Sequence, residues 1–151
     1  MEPMEAAMPT RTVRTIVAQQ TAVTVASKTS VDAAARLMKK KNIGALMVVD
    51  DGKLVGIFTE RDALFRVLAE NRDPRTTRVA TVMTPDPRSV HPDKPFGSAL
   101  FMMYEGGFRH VPVVENGRPL GMVSARDALG PELEEFGAEM LHREHIAQIL
   151  A

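Results

Sequence analysis

Two short stretches of the sequence pair a hydroxyl with a carboxylate three residues further on. They are Thr59 to Asp62 (TERD) and Ser124 to Asp127 (SARD). A hydroxyl at the start of a helix accepts hydrogen bonds from unpaired backbone N–H groups, which also attract phosphate. A carboxylate on the first turn can accept charge-assisted hydrogen bonds from two neighbouring hydroxyls. The stretches therefore suit a ligand that carries a phosphate and a pair of hydroxyls.

The same residues also have purely structural explanations. Thr59 and Ser124 can cap helices, and capping is compatible with phosphate contact. Asp62 and Asp127 can complement the helix dipole, which contributes about 0.3–1 kcal/mol. The dipole alone does not explain why the whole motif occurs twice, so ligand binding is favoured. The arginine inside each motif is either a phosphate contact or a solvated surface charge.

The histidines give weaker signals. His110 directly precedes a predicted strand, where a structural histidine is as well supported as a ligand contact. His142 and His145 lie three residues apart beside Glu139 and Glu144, but this spacing provides no third ligand for a metal. No nucleophile, paired-carboxylate or metal constellation is evident, so we predict neither catalysis nor a bound metal.

Hydrophobic spacing predicts the elements around the first motif. A strand is expected near Val23–Val25 and a helix over Val31–Lys41. Ala45–Val49 and Leu54–Phe58 are predicted strands on either side of Asp51-Gly52, a dipeptide typical of a two-residue hairpin turn. A second helix is then expected to begin at the motif hydroxyl.

The chain contains this pattern twice. Shifting the sequence by 65 positions aligns Thr21–Leu64 with Asp86–Leu129 without a gap, and a quarter of the aligned residues are identical. Each β-α-β-β-α unit is too small to cover both faces of its sheet, so the two units are expected to pack into one domain. The predicted parts are an N-terminal tail (1–10), the first unit (11–70), a linker (71–77), the second unit (78–130) and a C-terminal amphipathic helix (131–151).

Two tandem units ending in GIFTERD and GMVSARD, with FRHVPVVENG at the second hairpin, resemble a pair of cystathionine-β-synthase (CBS) domains, often called a Bateman module. The resemblance implies an α/β (α+β) fold of two β-α-β-β-α units packed about a pseudo-twofold axis. It also implies two clefts for adenosine-containing ligands, in which the motif hydroxyl contacts phosphate, the aspartate binds ribose and apolar strand residues enclose adenine. Such modules resemble the building blocks of disc-shaped dimers, so a homodimer is expected.

The resemblance assigns binding residues to two clefts, each shared between the units. The first cleft is predicted to combine Thr59, Arg61, Asp62 and Ile57 with Arg88, Phe108, Arg109 and His110. The second is predicted to combine Ser124, Arg126, Asp127 and Met122 with Val23, Ile43, Gly44 and Ala45. The basic residues that the second unit contributes to the first set, Arg88, Arg109 and His110, align with Val23, Gly44 and Ala45 of the first unit. We therefore hypothesise that the first cleft binds phosphate-rich ligands more tightly.

Composition disfavours several other classes of protein. The 151 residues are 44% hydrophobic and 25% charged, and 19 Lys and Arg balance 19 Asp and Glu. These values are typical of a soluble globular domain and provide no net field for nucleic acid or anionic membranes. No cysteine is available for disulfides or thiolate metal sites. No apolar run spans a bilayer and the N-terminal residues lack an apolar signal core, so a cytoplasmic location is expected.

The predicted C-terminal helix places Leu133, Phe136, Met140 and Leu141 at helical spacing. One apolar face is therefore expected to pack on the module itself or to form an interface. The glutamates of the same segment make its polar face acidic, which disfavours a membrane surface.

The sequence favours a non-catalytic regulatory module that binds an adenine nucleotide and signals to an unidentified protein. AMP and ATP are the leading ligands, ahead of ADP, NADH and S-adenosylmethionine. The alternative is a constitutive assembly module whose clefts are empty or hold a structural ligand. An enzyme related to inosine monophosphate dehydrogenase is disfavoured, because its catalytic barrel would need roughly 200 residues.

Overall fold

A computed structural model of the protein describes residues 11–150. The predicted N-terminal tail, residues 1–10, lies outside the described residues. In the first half the elements are α1 (Val13–Val17), β1 (Thr24–Val25), α2 (Val31–Lys41), β2 (Ala45–Asp50), β3 (Lys53–Thr59) and α3 (Glu60–Asp62), which continues as a π-helical segment (Ala63–Leu68). In the second half they are α4 (Val79–Val82), β4 (Thr84–Pro85), α5 (Phe96–Gly106), β5 (His110–Glu115), β6 (Arg118–Ser124), a 3₁₀ turn (Ala125–Asp127) and α6 (Gly130–Leu150).

Each unit contributes one antiparallel hairpin to its own sheet. In the first sheet β2 pairs with β3, β1 lies parallel beside β2, and β4 covers the other edge of β3. In the second sheet β5 pairs with β6, and Val90 makes a parallel bridge to Val113. Val90 aligns with Val25 of β1, so both sheets have a parallel pairing beside the first strand of the hairpin. The mixed α+β architecture expected from the resemblance is confirmed.

Both hairpins turn on two residues with positive φ. The angles are 52° and 76° at Asp51 and Gly52, and 56° and 82° at Asn116 and Gly117. These are the mirror-image turns that the sequence predicts, and their twist matches that of the flanking strands. The resulting registers place Thr59 opposite Ala45 and Ser124 opposite His110. Both motif hydroxyls therefore lie at equivalent ends of their sheets.

The hydrophobic cores cross the boundaries of the sequence units. α4 belongs to the second half of the chain, yet its Val79 and Val82 are buried in the first core, with α2, β2 and β3. α1 belongs to the first half of the chain, yet its Val13 and Val17 are buried in the second core, with α5, β5 and β6. Each unit therefore completes its core with a helix from outside its own hairpin and helix segment.

The prediction that a helix begins at Ser124 is wrong. Only the 3₁₀ turn forms there, and Ala128 is extended, with φ −73° and ψ 136°. α6 begins two residues later at Gly130, so Pro131 falls in its first turn. Proline lacks a backbone N–H and clashes with the preceding turn inside a helix, whereas the first turn tolerates it. The aligned residue of the first unit is Arg66, and there the helix continues.

α6 matches the predicted amphipathic helix only in part. Phe136 packs against the second core, with its ring 6.1 Å from that of Tyr104 in an edge-on arrangement. Met140 is buried as well, but Leu133 and Leu141 remain exposed. The predicted apolar face is therefore incompletely covered within one chain.

Candidate ligand-binding site

The first motif forms a reciprocal capping turn at the start of α3. The Thr59 backbone N–H donates to Asp62 Oδ2 at 3.0 Å, and the Asp62 N–H donates to Thr59 Oγ1 at 3.1 Å. Arg66 Nε lies 3.5 Å from the other carboxylate oxygen, Oδ1. Asp62 is buried. Oδ2 of Asp62 therefore closes the turn, while Oδ1 has a long contact with the partly exposed Arg66.

The second motif repeats this turn without the helix. The Ser124 N–H donates to Asp127 Oδ2 at 2.7 Å, and the Ser124 hydroxyl donates to the same oxygen at 3.5 Å. Asp127 is half-buried. The carboxylate thus closes the turn in both units.

A cavity of about 610 Å³ lies between the two motif turns and is lined by both units. The first unit contributes the end of α2, the start of β2 and the start of α3. The second unit contributes the start of β5 and the 3₁₀ turn. The lining residues are Ala35, Met38, Lys39, Asn42, Ile43, Gly44, Glu60, Ala63, Arg109, His110, Ser124, Ala125 and Arg126.

The charged side chains of this wall are mainly basic. Lys39, Arg109 and Arg126 are exposed to the cavity's solvent, and Glu60 is the acidic residue among the lining side chains. Burial lowers the pKa of His110, and the two arginines act in the same direction, while Glu60 opposes them. His110 is therefore favoured as a neutral imidazole that can donate or accept a hydrogen bond. The arginines can bind a phosphate with charge-assisted hydrogen bonds.

The structure brings six of the predicted site residues to this wall and distributes the others around it. On the wall are Ile43, Gly44, Arg109, His110, Ser124 and Arg126. Arg109 and His110 were assigned to the first cleft and the other four to the second, so the structure differs from the predicted division. The basic residues share the cavity with Ser124 and Arg126. Off this wall are Thr59, Arg61, Asp62, Ile57, Arg88, Phe108, Asp127, Met122, Val23 and Ala45.

Local contacts explain the position of several residues off the wall. The Arg61 guanidinium lies over the ring of Phe65, 5.0 Å from its centroid. Arg88 forms an exposed ion pair with Glu105, with 3.1 Å between Nη1 and Oε1. Ala45 and Ile57 are buried, while Val23 and Phe108 pack at the margins of the first and second cores.

The strand edges at the two predicted adenine contacts are already paired. Ile57 pairs with Thr84 of β4. At the aligned residue Met122, the Gln20 side chain takes the place of a strand: its Nε2 donates to the Met122 carbonyl at 2.9 Å, and its Oε1 accepts from the Met122 N–H at 3.1 Å. The main chain at both positions is thus occupied, which leaves only side-chain contacts for a ligand.

Several wall residues escaped the sequence analysis. Lys39 lies on the last turn of α2, Asn42 is the left-handed residue that ends this helix, and Glu60 is the residue after the motif hydroxyl. Ala35, Met38 and Lys39 follow helical spacing, so one helix face was a usable signal. Glu60 carried a second signal, because it is charged where the aligned residue is Ala125.

Within residues 11–150, the side chains that come close enough to share a metal ion are His91, Asp93 and Glu115. Arg14 already occupies both carboxylates, with Nε 3.1 Å from Asp93 Oδ1 and Nη2 3.5 Å from Glu115 Oε2. The group is exposed, and an ion would have to displace the guanidinium. The described part of the chain contains no helix with the length and apolar character needed to cross a membrane.

The sequence and structure match known proteins over most of the chain. The family model described as CBS domain matches residues 13–69 and 79–131. The CBS domain-containing protein CBSCBSPB1 of Arabidopsis thaliana is 41% identical over 103 residues, which are 67% of this chain and 19% of that protein. The chain thus spans about a fifth of the length of this curated relative.

Solved structures show the same architecture. A protein with CBS domains from Burkholderia ambifaria superimposes with a TM-score of 0.70 at 32% identity, covering 87% of this chain and 94% of that one. The CBS domain pair of protein MJ0100, in complex with 5′-methylthioadenosine and S-adenosyl-L-methionine, gives a TM-score of 0.71 at 30% identity, covering 87% and 99%. The two matched segments and the shared fold establish that the chain belongs to the CBS-domain family, as a tandem pair of CBS domains.

Proposed function

We propose that this CBS-domain pair is a non-catalytic regulatory module that binds an adenosine-containing ligand in the cavity between its units. The observation that carries the proposal is the cavity wall, where Arg109, His110 and Arg126 of the second unit share one open space with α2 and Glu60 of the first. Guanidinium groups bind phosphate in a fixed, bidentate geometry. The adenosine derivatives bound to the MJ0100 pair support this class of ligand.

The two motif aspartates, which lie beside the cavity wall and not on it, are each proposed to bind ribose, one in each of the two clefts. Among the described residues, Asp62 Oδ1 has only Arg66 as a partner, at 3.5 Å, so it can accept a hydrogen bond from a sugar hydroxyl. Thr59 and Ser124 are proposed phosphate contacts, and Ile57 and Met122 proposed adenine contacts. AMP and ATP are the leading ligands. The proposal includes a cytoplasmic location, where such nucleotides are available.

Regulation follows from the position of the cavity. A ligand that touches both units favours the relative arrangement in which its contacts with both are made. The signal passed to a partner protein can be no larger than the difference in ligand affinity between the two arrangements. The module therefore needs no reacting group of its own, only a ligand that distinguishes the arrangements.

Thermal unfolding with AMP, ADP, ATP, NADH and S-adenosylmethionine tests the proposal. A ligand at about 100 times its Kd stabilises the fold by about 2.7 kcal/mol, which raises the Tm of a domain of this size by several degrees. Arg126→Ala should reduce that rise, whereas Arg118→Ala, an equal loss of charge on the exposed end of β6, should not. If no compound raises the Tm, the ligand-binding proposal is rejected.

A second function, assembly as a homodimer, is supported by exposed apolar side chains. Leu64, Phe65 and Leu68 project from the π-helical segment with 49%, 53% and 72% of their surface exposed. Leu129 and Leu133 are exposed at the positions that align with Leu64 and Leu68. Apolar groups repeated on both units are typical of a surface that associates with another protein.

Light scattering coupled to size-exclusion chromatography tests the homodimer. Leu68→Glu places a charge in the proposed interface and should shift the chain to the monomer mass. Leu141→Glu makes the same change at an exposed leucine of α6 outside this set, and should leave the mass unchanged. A monomeric unsubstituted chain would contradict the homodimer without affecting the ligand proposal.

A further inference from the structure

The cavity has an uneven distribution of charge. Arg109, His110 and Arg126 all come from the second unit. Lys39 comes from α2, and Glu60 is the acidic side chain on the wall. No ion pair joins Glu60 to a basic residue within the described part of the chain. Its charge is therefore free to act on whatever occupies the cavity.

The alignment of the two units shows which residues correspond to Glu60 and to its neighbour Gly44. Glu60 aligns with Ala125, and Gly44 aligns with Arg109. The backbone bond between these positions is the same in both units: the Glu60 N–H donates to the Gly44 carbonyl at 3.0 Å, and the Ala125 N–H donates to the Arg109 carbonyl at 3.3 Å. The first unit has its large charged residue, Glu60, on the turn after β3. The second unit has its large charged residue, Arg109, directly before β5.

Gly44 lies in contact with the Glu60 side chain. A Cβ atom at Gly44 would lie 3.3 Å from Glu60 Oε1 and 3.4 Å from its Cδ, so a larger residue there would displace the end of this flexible side chain. The Glu60 carboxylate thus lies directly over the glycine. In the other unit Ala125 leaves the corresponding space open for Arg109. The wall therefore carries Glu60 and Lys39 on its first-unit side and Arg109, His110 and Arg126 on its second-unit side.

Glu60 and the two arginines act electrostatically on the same residue of the cavity wall, His110. The environment of His110 includes opposing electrostatic effects of Glu60 on one hand and of Arg109 and Arg126 on the other. A ligand phosphate placed at the arginines is therefore within electrostatic range of the Glu60 carboxylate. Each further phosphate on a nucleotide adds negative charge to the same space.

We propose that Glu60 is a specificity-determining residue that weakens the binding of a nucleoside triphosphate relative to that of the monophosphate. This inference rests on the proposed nucleotide binding. The first phosphate is held by Arg109 and Arg126, and the added phosphates of a triphosphate are repelled by Glu60. Because these side chains are exposed, salt screens the repulsion.

Calorimetric titration with AMP and with ATP, in buffer free of divalent cations at low and high salt, tests the inference. The unsubstituted chain should bind both nucleotides at low salt. Glu60→Gln, which keeps the shape and removes the charge, should tighten ATP binding by about fivefold, the upper range for interactions of exposed charges. AMP binding should change less, and high salt should remove most of the difference.

Glu134→Gln removes the same charge on the exposed surface of α6 and should leave the ratio of the two affinities unchanged. If both nucleotides bind but Glu60→Gln does not alter their ratio, the role of Glu60 is rejected and the proposed function stands. If AMP and ATP both fail to bind the unsubstituted chain, nucleotide binding is rejected, and the role of Glu60 with it.

Discussion

The turns that follow β3 and β6 have the same backbone and different continuations. In both, the motif aspartate accepts a hydrogen bond from the backbone N–H of the motif hydroxyl residue. After the first turn the helix continues, and Arg66 Nη1 donates to the Val82 and Met83 carbonyls at the end of α4, at 3.3 and 3.2 Å. After the second turn Pro131 stops that continuation. The shared hydrogen bonds fix the turns, while the residues that follow determine what each turn is attached to.

The next aligned pair shows the difference most clearly. Val67 is buried in the first core. Its counterpart Glu132 is also buried, and it pairs with Arg11 through contacts of 2.7 and 3.1 Å. Glu132 also accepts the Leu129 N–H at 2.8 Å. The first unit anchors its second helix with a valine, and the second unit anchors α6 with an ion pair to Arg11, two residues before α1.

The largest predicted effect breaks this ion pair. Arg11→Ala leaves the Glu132 carboxylate buried without its cation, which should lower the free energy of unfolding by about 3 kcal/mol. Urea unfolding measures the loss. The double variant Arg11→Ala/Glu132→Val replaces the ion pair with valine, the residue that the first unit has at the aligned position 67. It should recover the free energy of unfolding to within about 1 kcal/mol of the unsubstituted chain.

A neighbouring arginine provides the matched control. Arg14→Ala removes an exposed ion pair with Asp93 and should cost no more than about 1 kcal/mol. Equal losses for Arg11→Ala and Arg14→Ala would show that burial of Glu132 is unimportant. Failure of the double variant to recover stability would show that a valine cannot replace the ion pair in this unit.

The second prediction compares the aligned glycines of β3 and β6. A Cβ at Gly121 would lie 2.9 Å from Val17 Cβ, whereas a Cβ at Gly56 would meet the thioether of Met83. Val17 is β-branched and buried, but the Met83 side chain is flexible. Gly121→Ala should therefore cost about 2 kcal/mol and Gly56→Ala about 1 kcal/mol or less. Urea unfolding of the two variants checks the order, and a larger loss for Gly56→Ala would contradict it.

Local sequence signals predicted the elements that depend on local geometry. The Asp51-Gly52 and Asn116-Gly117 turns have the expected positive φ angles, and α2 spans the predicted Val31–Lys41. The exchange of α1 and α4 between cores was not predictable, because a short apolar helix suits either core equally well. The helix at Ser124 was predicted from the repeat, although Pro131 in the sequence already opposed it.

For the candidate site, the motifs point to the turns beside the cavity but to only part of its wall. Ser124 and Arg126 line the cavity, but their counterparts Thr59 and Arg61 do not. The missing residues, Lys39 and Glu60, are ordinary surface residues by type. Their contribution depends on the distance between the end of α2 and the second unit, which no local pattern encodes.

The third prediction transfers the acidic residue from one turn to the other. Ala125→Glu places a carboxylate beside Arg109, as Glu60 lies over Gly44, and should neutralise part of the basic side. AMP affinity at low salt should fall by about fivefold, within the range for exposed charge pairs. Calorimetric titration measures the affinity, and urea unfolding should show little change, because Ala125 is exposed. A large loss of stability would instead mean that the two turns do not tolerate exchange.

The smallest predicted effect compares His110 with its aligned residue Ala45. Burial lowers the pKa of His110 below its unfolded value, with Arg109 and Arg126 acting in the same direction and Glu60 and Asp127 against it. At a pH below the unfolded value of about 6.5, the unfolded chain binds the proton more readily than the folded one. The stabilisation that comes from keeping the imidazole neutral is therefore complete above this pH and is lost as the pH falls below it.

Thermal unfolding between pH 8 and pH 5 should show a smaller decrease in Tm for His110→Asn than for the unsubstituted chain. His91→Asn, which changes an exposed histidine, should leave that decrease intact, and parallel curves for His110→Asn and the unsubstituted chain would place the source of the acid sensitivity elsewhere.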